Sequence, residues 1–597
     1  MEQSFLTCLE HHVSCGYGTS DLPNLPTRII DVGNHTTPPR LVSGFPTKGR
    51  WIALSHCWGG IVDYTLTKDN LNSRCHGMPL NELPATFRDA VLVTRNLNVP
   101  YLWIDAICII QDSLDDDWPK EASRMQEYYM NSVLTISAMN AENSRKGILQ
   151  KRLPRFKPLM LSLKSERLAW EGTVAIRESH PKTMSFWQRN PVSALTTRGW
   201  TLQENCLPPR TLHFTRSGLV WECLCHTVVE WLHDPEDYGA ELKLLIRPYV
   251  IDDENKKRMA QPGREEKAFK NTTKQSPVNQ IYASWDEIVR FYSERKLTYS
   301  SDKLPAISGI ASLFSTMLRG DRYLAGLWES RLLEGLCWHI CSFDNIPRSR
   351  LDNYRAPSWS WASIDGEILL NHSSDTPEHG TDTQYQAKIL EAHVECEPHN
   401  AFGKVKGGFL RLRGLWLPVY LDMFPEWDEE EGTGTFHFVL QEMDHNGGNQ
   451  QQTPMHLDLW EGHVRTQWLD ILDPSHYSCL NSRQVSPESA SLLEGAENSD
   501  ECSTDGNITW EKDAANWTCV PFARLDIAPT KEEFLGVSKQ FRMGVMMLSE
   551  SYFLLLQPNK HSPDTFTRIG IASASWVRGR RFSNEYIEKN TRVIVIT

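Results

Sequence analysis

Several groups of residues in this chain have side chains and spacings that could do chemistry. The first is Asp105, the one polar residue in the run Tyr101–Ile110 (YLWIDAICII). A carboxylate there must find donors or stay protonated, because an unpaired buried charge is very costly. It is either a structural hydrogen-bonding hub or part of a site. The second is Glu121, behind the helix start Asp115-Asp116-Asp117-Trp118-Pro119, with Asp117 as the expected N-cap. At about 100° per residue it falls on the border of the stripe Trp118, Ala122, Met125 and Tyr129. A half-buried acid facing a cleft between helix and sheet is one reading; a Glu favoured by the helix dipole is the other. The third, Ser55-His56-Cys57, invites a nucleophile and a base. Neighbours on a strand point to opposite faces, so a hydrolytic triad is not expected. Trp58-Gly59-Gly60 follows, and its glycines free the backbone for a turn or a close approach to a ligand. The fourth is Cys8-x2-His11-His12-x2-Cys15, which has metal-ligand residue types. Nothing nearby completes a site, and Cys75-His76 or Cys223-x-Cys225-His226 would have to come from afar. A polar, loosely ordered N-terminus with no tightly held zinc or other metal is therefore expected.

These residues need elements to position them. Tyr101–Ile110 reads as a strand buried on both faces, with Leu102, Ile104, Ala106, Cys108 and Ile110 opposite Trp103, Asp105 and Ile107. Thr27–Val32, Arg40–Ser43, Trp51–Gly60 and Ser132–Met139 are further expected strands. Leu83–Asn98 carries Phe87, Ala90, Val91, Thr94 and Leu97 at helical spacing and leads into the Tyr101 strand. That makes a strand–helix–strand unit, and the fold class expected is α/β. A strand is also expected at Thr173–Arg177. In Thr197–Thr215 a short helical piece stops at Pro208-Pro209 and gives way to a strand from Arg210, with Leu219–Cys225 as its hairpin neighbour.

With 597 residues the chain is too long for one core. The expected order is an N-terminal tail (1–26), the α/β domain (27–235), a charged linker (236–276), a helical, Trp-rich extension (277–383) and a β-rich C-terminal domain (384–597). Helices are expected at Asn279–Tyr299, Leu304–Leu318 and Tyr323–Cys341. The C-terminal domain is expected to hold strands from Ala387 onward and a disordered insertion over 474–513. Closely spaced Trp359 and Trp361 read as core packing rather than a ligand platform. A net charge of −13 argues against nucleic-acid or anionic-membrane partners. No run approaches the roughly 18 apolar residues of a membrane span, and the start MEQSFLTCLEHH lacks a secretory pattern. The 14 Cys look like reduced, buried thiols. A cytoplasmic location is expected.

Five blocks in order resemble the HET domain, the heterokaryon-incompatibility module of filamentous fungi. They are WIALSHCWGG (51–60), LPATFRDAV (83–91), YLWIDAICIIQD (101–112), the pattern Trp118, Glu121, Met125, Tyr129, and TRGWTLQE with R-x-LHF (197–214). His56 stands where the family more often has Tyr, which argues against a family-wide catalytic role for it. The resemblance implies a cytoplasmic effector of non-self recognition whose activation leads to growth arrest or cell death. It implies protein partners of an incompatibility pathway, with self-association among them. The family's α/β core has been likened to the Toll/interleukin-receptor (TIR) fold, some members of which cleave NAD with a Glu. By that analogy Glu121 is the catalytic candidate, with Trp58, Gly59 and Asp105 lining the pocket. NAD would be a substrate, with no cofactor held tightly. The alternative the resemblance leaves open is a non-enzymatic signalling and assembly module acting through partners.

Overall fold

The computed structural model describes residues 2–12, 22–44, 46–60, 64–113, 116–150, 159–165, 170–176, 193–216, 218–230, 277–340, 354–370, 387–398, 400–428, 433–442, 539–548, 552–559, 562–573 and 584–597, with Cys15, Lys243, Leu245 and Ile246 besides. Two compact units make up the chain: residues 1–320 with 398–403, and residues 321–397 with 404–597. Both are built of strands and helices, so the chain is mixed α/β. The expected linker (236–276) and insertion (474–513) lie outside the described residues, apart from Lys243, Leu245 and Ile246. No helix of the described residues is long and apolar enough to cross a membrane.

The first unit is organised on an eight-stranded sheet. Its strands are β1 (Arg28–Asp31), β2 (Arg40–Ser43), β3 (Trp51–Ser55), β4 (Tyr101–Trp103) and β5 (Leu134–Ser137). A separate hairpin, β6 (Leu159–Ser165) and β7 (Trp170–Ile176), intervenes before β8 (Arg210–Thr215), β9 (Gly218–Cys223) and β10 (Thr227–Val229). The order is β10-β9-β8-β5-β3-β4-β1-β2. The four central strands, β4-β3-β5-β8, are parallel. Antiparallel pairs flank them on each side. Between β3 and β4 runs α3 (Ala85–Asn96), and between β4 and β5 runs α5 (Asp117–Met130). The chain leaves β3 for one neighbour and returns to the other, so the sheet is doubly wound with its switch point at β3. Every residue of β3 is buried, as a strand covered on both faces requires.

α3 starts after Pro84 and buries Phe87, Ala90, Val91 and Thr94, the stripe its spacing predicts. It stops where Asn98 takes a left-handed conformation ahead of Pro100. Its one buried acid, Asp89, accepts hydrogen bonds from the backbone N–H groups of Ile148 (2.9 Å) and Leu149 (3.1 Å). Asp89→Ala strands those donors, each worth about 1–3 kcal/mol when buried without a partner. Urea unfolding of the full chain should show a loss of about 3 kcal/mol from the transition of the first unit, and a smaller loss for Asp89→Asn, which keeps one acceptor.

The structure corrects the sequence reading at several points. The Tyr101–Ile110 run is a strand only to Trp103; Asp105–Cys108 is a helical turn, α4. An apolar run this short is buried equally well in either form, so its pattern does not choose between them. The turn is held by Leu66, whose N–H donates to the Ala106 carbonyl and whose carbonyl accepts from Gln111 N–H. Ile104 and Ile107 are buried, and β4 is interior to the sheet. In α5, Asp117 is the first helical residue and not the cap. Its carboxylate pairs with Arg28 and accepts from Ile110 N–H at 2.9 Å. The expected N-terminal tail contains a helix, α1 (Glu2–His11), which buries Phe5 and Cys8.

α2 (Leu71–His76) and α6 (Thr201–Cys206) complete the doubly wound part. α7 (Pro277–Ser293) and α8 (Ser308–Met317), expected in a separate extension, belong to the first unit. At Gly309 of α8 a Cβ would lie 2.6 Å from Gln126 Cβ and 2.8 Å from Gln203 Oε1, so only glycine admits so close an approach to α5 and α6.

In the second unit Tyr323–Cys341 is not one helix. Tyr323–Leu324 and Leu327–Trp328 (β11, β12) form a hairpin whose two-residue turn, Ala325-Gly326, has both φ angles positive. Trp361 packs on that turn and donates from Nε1 to the Gly326 carbonyl (2.9 Å), and Trp338 donates to the Trp359 carbonyl (2.9 Å). Trp359 and Trp361 are fully buried, so the pair is core, as expected. A short pair, β13 (His339–Ile340) and β14 (Ile368–Leu369), precedes a seven-stranded sheet. This comprises β15 (Lys388–Cys396), β16 (Val405–Asp428), β17 (Thr433–Glu442), β18 (Lys539–Met547), β19 (Tyr552–Asn559), β20 (Ser562–Ser573) and β21 (Thr591–Ile596). Pairing returns from β21 to β16. Residues 408–421, expected as two strands, lie within the single strand β16, and at Gly414 a Cβ would sit 2.7 Å from the Met546 sulfur.

Candidate functional site

The loops leaving β3, β4 and β5 meet at the carboxyl edge of the parallel strands, where open α/β sheets bind their ligands. The β3 loop carries His56, Cys57, Trp58, Gly59 and Gly60. Gly59 and Gly60 both take positive φ, and a Cβ on Gly59 would lie 2.3 Å from Asn143 Cβ and 2.7 Å from the Glu142 carbonyl. Glycine is therefore required there for close approach to the β5 loop.

Asp105 opens α4 at the end of β4 and gathers the site. Its Oδ2 accepts from Trp58 Nε1 at 3.0 Å, and its Oδ1 accepts from Ala106 N–H at 2.7 Å. His56 Nδ1 stands 3.6 Å from Oδ1, too far for a hydrogen bond. The His56 ring is buried between Trp58, roughly parallel at 6.4 Å, and Phe87, edge-on at 4.9 Å. Burial holds its imidazole below the usual range, against the opposing pull of Asp105. Asp105 itself is half-buried, its side chain 20% exposed. So are Trp58 and Arg198, and solvent reaches the cluster past these three side chains.

Two members of the cluster, both inside the block TRGWTLQE, were not among the expected site residues. Arg198 donates to the His56 carbonyl at 2.7 Å. Glu204, on α6, is buried (5% exposed), with Ser55 and Tyr129 beside it. Burial, and then the negative charge of Asp105, push its carboxyl up to about 7. A carboxyl that holds its proton to neutrality next to a charged one is the arrangement used for acid–base chemistry. The signal was in the sequence: an acid inside a short, otherwise uncharged helix, Thr201–Cys206, ended by a proline pair. Nothing local said what it would face.

Glu121 is elsewhere. It lies at the centre of the buried face of α5, with Met125, Tyr128 and Tyr129, and not on its border. It is only 4% exposed and accepts from the Tyr128 hydroxyl at 2.7 Å. The helix is rotated from the expected stripe, with Trp118 half-buried against Trp200. Thus the structure brings together Trp58 and Asp105, adds Arg198 and Glu204, turns Gly59 toward the β5 loop, and leaves Glu121 bonded within its own helix. Beside the Gly59 turn a groove of about 590 Å³ opens at the ends of β5 and β8, lined by Asn140, Phe214 and the ion pair Glu142–Arg216 (2.7 Å) among others.

A doubly wound α/β domain with a carboxylate, indole and guanidinium cluster at its carboxyl edge is the class this defines. Residues 51–204 match the family described as heterokaryon incompatibility protein (HET), and the chain carries a HET domain. The match begins at the first residue of β3 and ends on Glu204, so it takes in Trp58, Asp105, Glu121 and Arg198. No curated protein and no solved structure matches the chain.

Proposed function

We propose that this chain is a HET-domain effector of non-self recognition, whose activation in its fungal host arrests growth or kills the cell by TIR-like chemistry on NAD. What carries the proposal is that every member of the Trp58–Asp105–Arg198–Glu204 cluster falls inside the HET match. The reaction is hydrolysis: the bond from ribose C1′ to the nicotinamide nitrogen breaks, water supplies the new C–O bond, and nicotinamide, ADP-ribose and a proton leave. The half-buried Asp105 carboxylate is suited to stabilise the oxocarbenium-like transition state, and Trp58 offers an aromatic face to the base. Glu204 would exchange the proton, and Arg198 would hold anionic substrate groups. The resemblance-based candidate Glu121 enters as a support of α5 and not as the acid.

A second reading has its own observation. Both oxygens of Asp105, and Glu121 through Tyr128, already have internal partners, as residues with purely structural roles do. In that reading the domain kills by assembling with itself and with incompatibility partners in the cytoplasm. The experiment is the cellular NAD level after induced expression of the full chain, alone and as Glu204→Gln or Glu121→Gln. NAD depletion with killing, both lost in Glu204→Gln and kept in Glu121→Gln, is expected. Killing with undiminished NAD would leave the assembly reading standing, and loss only in Glu121→Gln would move the acid to α5.

A further inference from the structure

At the opposite, amino edge of the parallel strands lies a second cluster. The Sγ atoms of Cys8, Cys15 and Cys223 and a ring nitrogen of His12 all lie within 4.8 Å of one another. We infer that these four residues form a structural zinc site that clamps the N-terminal helix onto the edge of the sheet.

The donors suit the ion. Three thiolates and an imidazole are a Cys₃His set, closed and tetrahedral, in which bonds of about 2.3 and 2.0 Å put ligand atoms roughly 3.5–3.8 Å apart. His12 Nδ1 already stands 3.6 Å from Cys223 Sγ. Cys8 and His12 are one helical turn apart, their turn closed by the His12 N–H bond to the Cys8 carbonyl (3.2 Å). Cys223 ends β9, 211 residues further along the chain than His12, and the tight turn after it aims the Cys225 N–H at its sulfur (3.4 Å). An amide donor to a ligating thiolate is a usual outer-shell contact.

Charge supplies an independent argument. Arg210 is buried, 4% exposed, yet among the described residues it pairs with no carboxylate. Its Nε donates to Cys8 Sγ at 3.1 Å, and its other bonds go to the Val133 and Cys15 carbonyls. A buried guanidinium needs a counter-charge. Zinc with three thiolates and a neutral His carries one net negative charge beside it, which Arg210 balances. With every ligand position filled by protein, the ion has no open position for substrate, and the cluster sits at the sheet edge away from Asp105. Its role is therefore to hold structure. Phe5 of α1, edge-on to Trp221 of β9 at 6.1 Å, packs over the same junction. His11, exposed beside Glu10, and Cys75, exposed on α2, stay outside the set. The sequence expectation of no zinc rested on the lack of a nearby ligand, and the fold provides that ligand as Cys223.

The test is elemental analysis of the purified full chain after gel filtration in chelator-free buffer. About one equivalent of zinc is expected in the wild type and in Cys75→Ser, and a small fraction of that in Cys223→Ser. Arg210→Gln should weaken zinc retention against a competing chelator by about 10-fold or more. Because Cys223→Ser could unfold, cobalt(II) reconstitution provides the second measurement. The wild type should show the visible bands of tetrahedral cobalt with strong thiolate charge transfer, and His12→Cys should keep those bands and intensify the charge transfer. A folded wild-type chain with neither zinc nor cobalt bands would overturn the inference. So would one equivalent of zinc that survives Cys15→Ser and Cys223→Ser together. NAD consumption plays no part in these readouts, so the two proposals fail separately.

Discussion

Glu204→Gln is expected to make the first unit more stable at pH 8 while removing NAD consumption and killing. Burial and Asp105 raise this carboxyl from 4.5 to about 7, so the folded chain holds a proton that the unfolded chain has lost. Between those values the folded state binds more protons, and stability falls as pH rises through the window. Above the upper value the full penalty remains, about 3 kcal/mol at 1.36 kcal/mol per pKa unit. Gln has the shape of the protonated acid and does not ionise. The variant should therefore match the wild type near pH 4 and gain up to about 3 kcal/mol by pH 8, read as a flattened pH dependence of the first unit's unfolding transition. Loss of a proton-exchanging group should lower the rate of NAD cleavage about 100-fold or more. A Glu204→Gln chain with the wild-type pH dependence would show that the carboxyl does not carry this charge penalty.

Asp105→Asn is expected to lose both activity and stability, because its two oxygens accept from two different donors. An Asn offers one acceptor and one NH₂, so either the Trp58 indole or the Ala106 N–H meets another donor. The stranded donor should cost about 1–3 kcal/mol. Trp58→Phe removes the indole donor, and in the Trp58→Phe background Asp105→Asn should cost less than it does alone. Denaturant unfolding of the two single variants and the double variant measures that coupling. Additive losses would mean that the Trp58–Asp105 bond does not organise the site. Killing that persists in a folded Asp105→Asn chain would remove Asp105 from the chemistry.

Much of this protein was legible from its sequence. The β1, β2 and β3 segments, the α3 helix between Pro84 and Asn98 and the strand from Arg210 are written in local patterns: short stretches rich in apolar and β-branched residues, helical spacing, and proline or asparagine at the ends. So were the burial of the Tyr101 run and the demand that Asp105 find donors, since both follow from apolar composition and the cost of an unpaired charge. Tertiary structure decided what local patterns leave degenerate. A short apolar run is equally buried as a strand or as a helical turn, and here the turn that follows Trp103 is held by its pairing with Leu66. A border position on a helix wheel depends on rotation, and packing turned Glu121 inward to Tyr128 instead of toward a cleft. Glu204 looked like one more polar residue until α6 placed it against Asp105. Three Cys and a His became one cluster because the sheet order brings the end of β9 to the N-terminal helix. Apart from the Glu121–Tyr128 bond within α5, these outcomes rest on contacts between residues far apart in the chain, and no short window of sequence contains both partners.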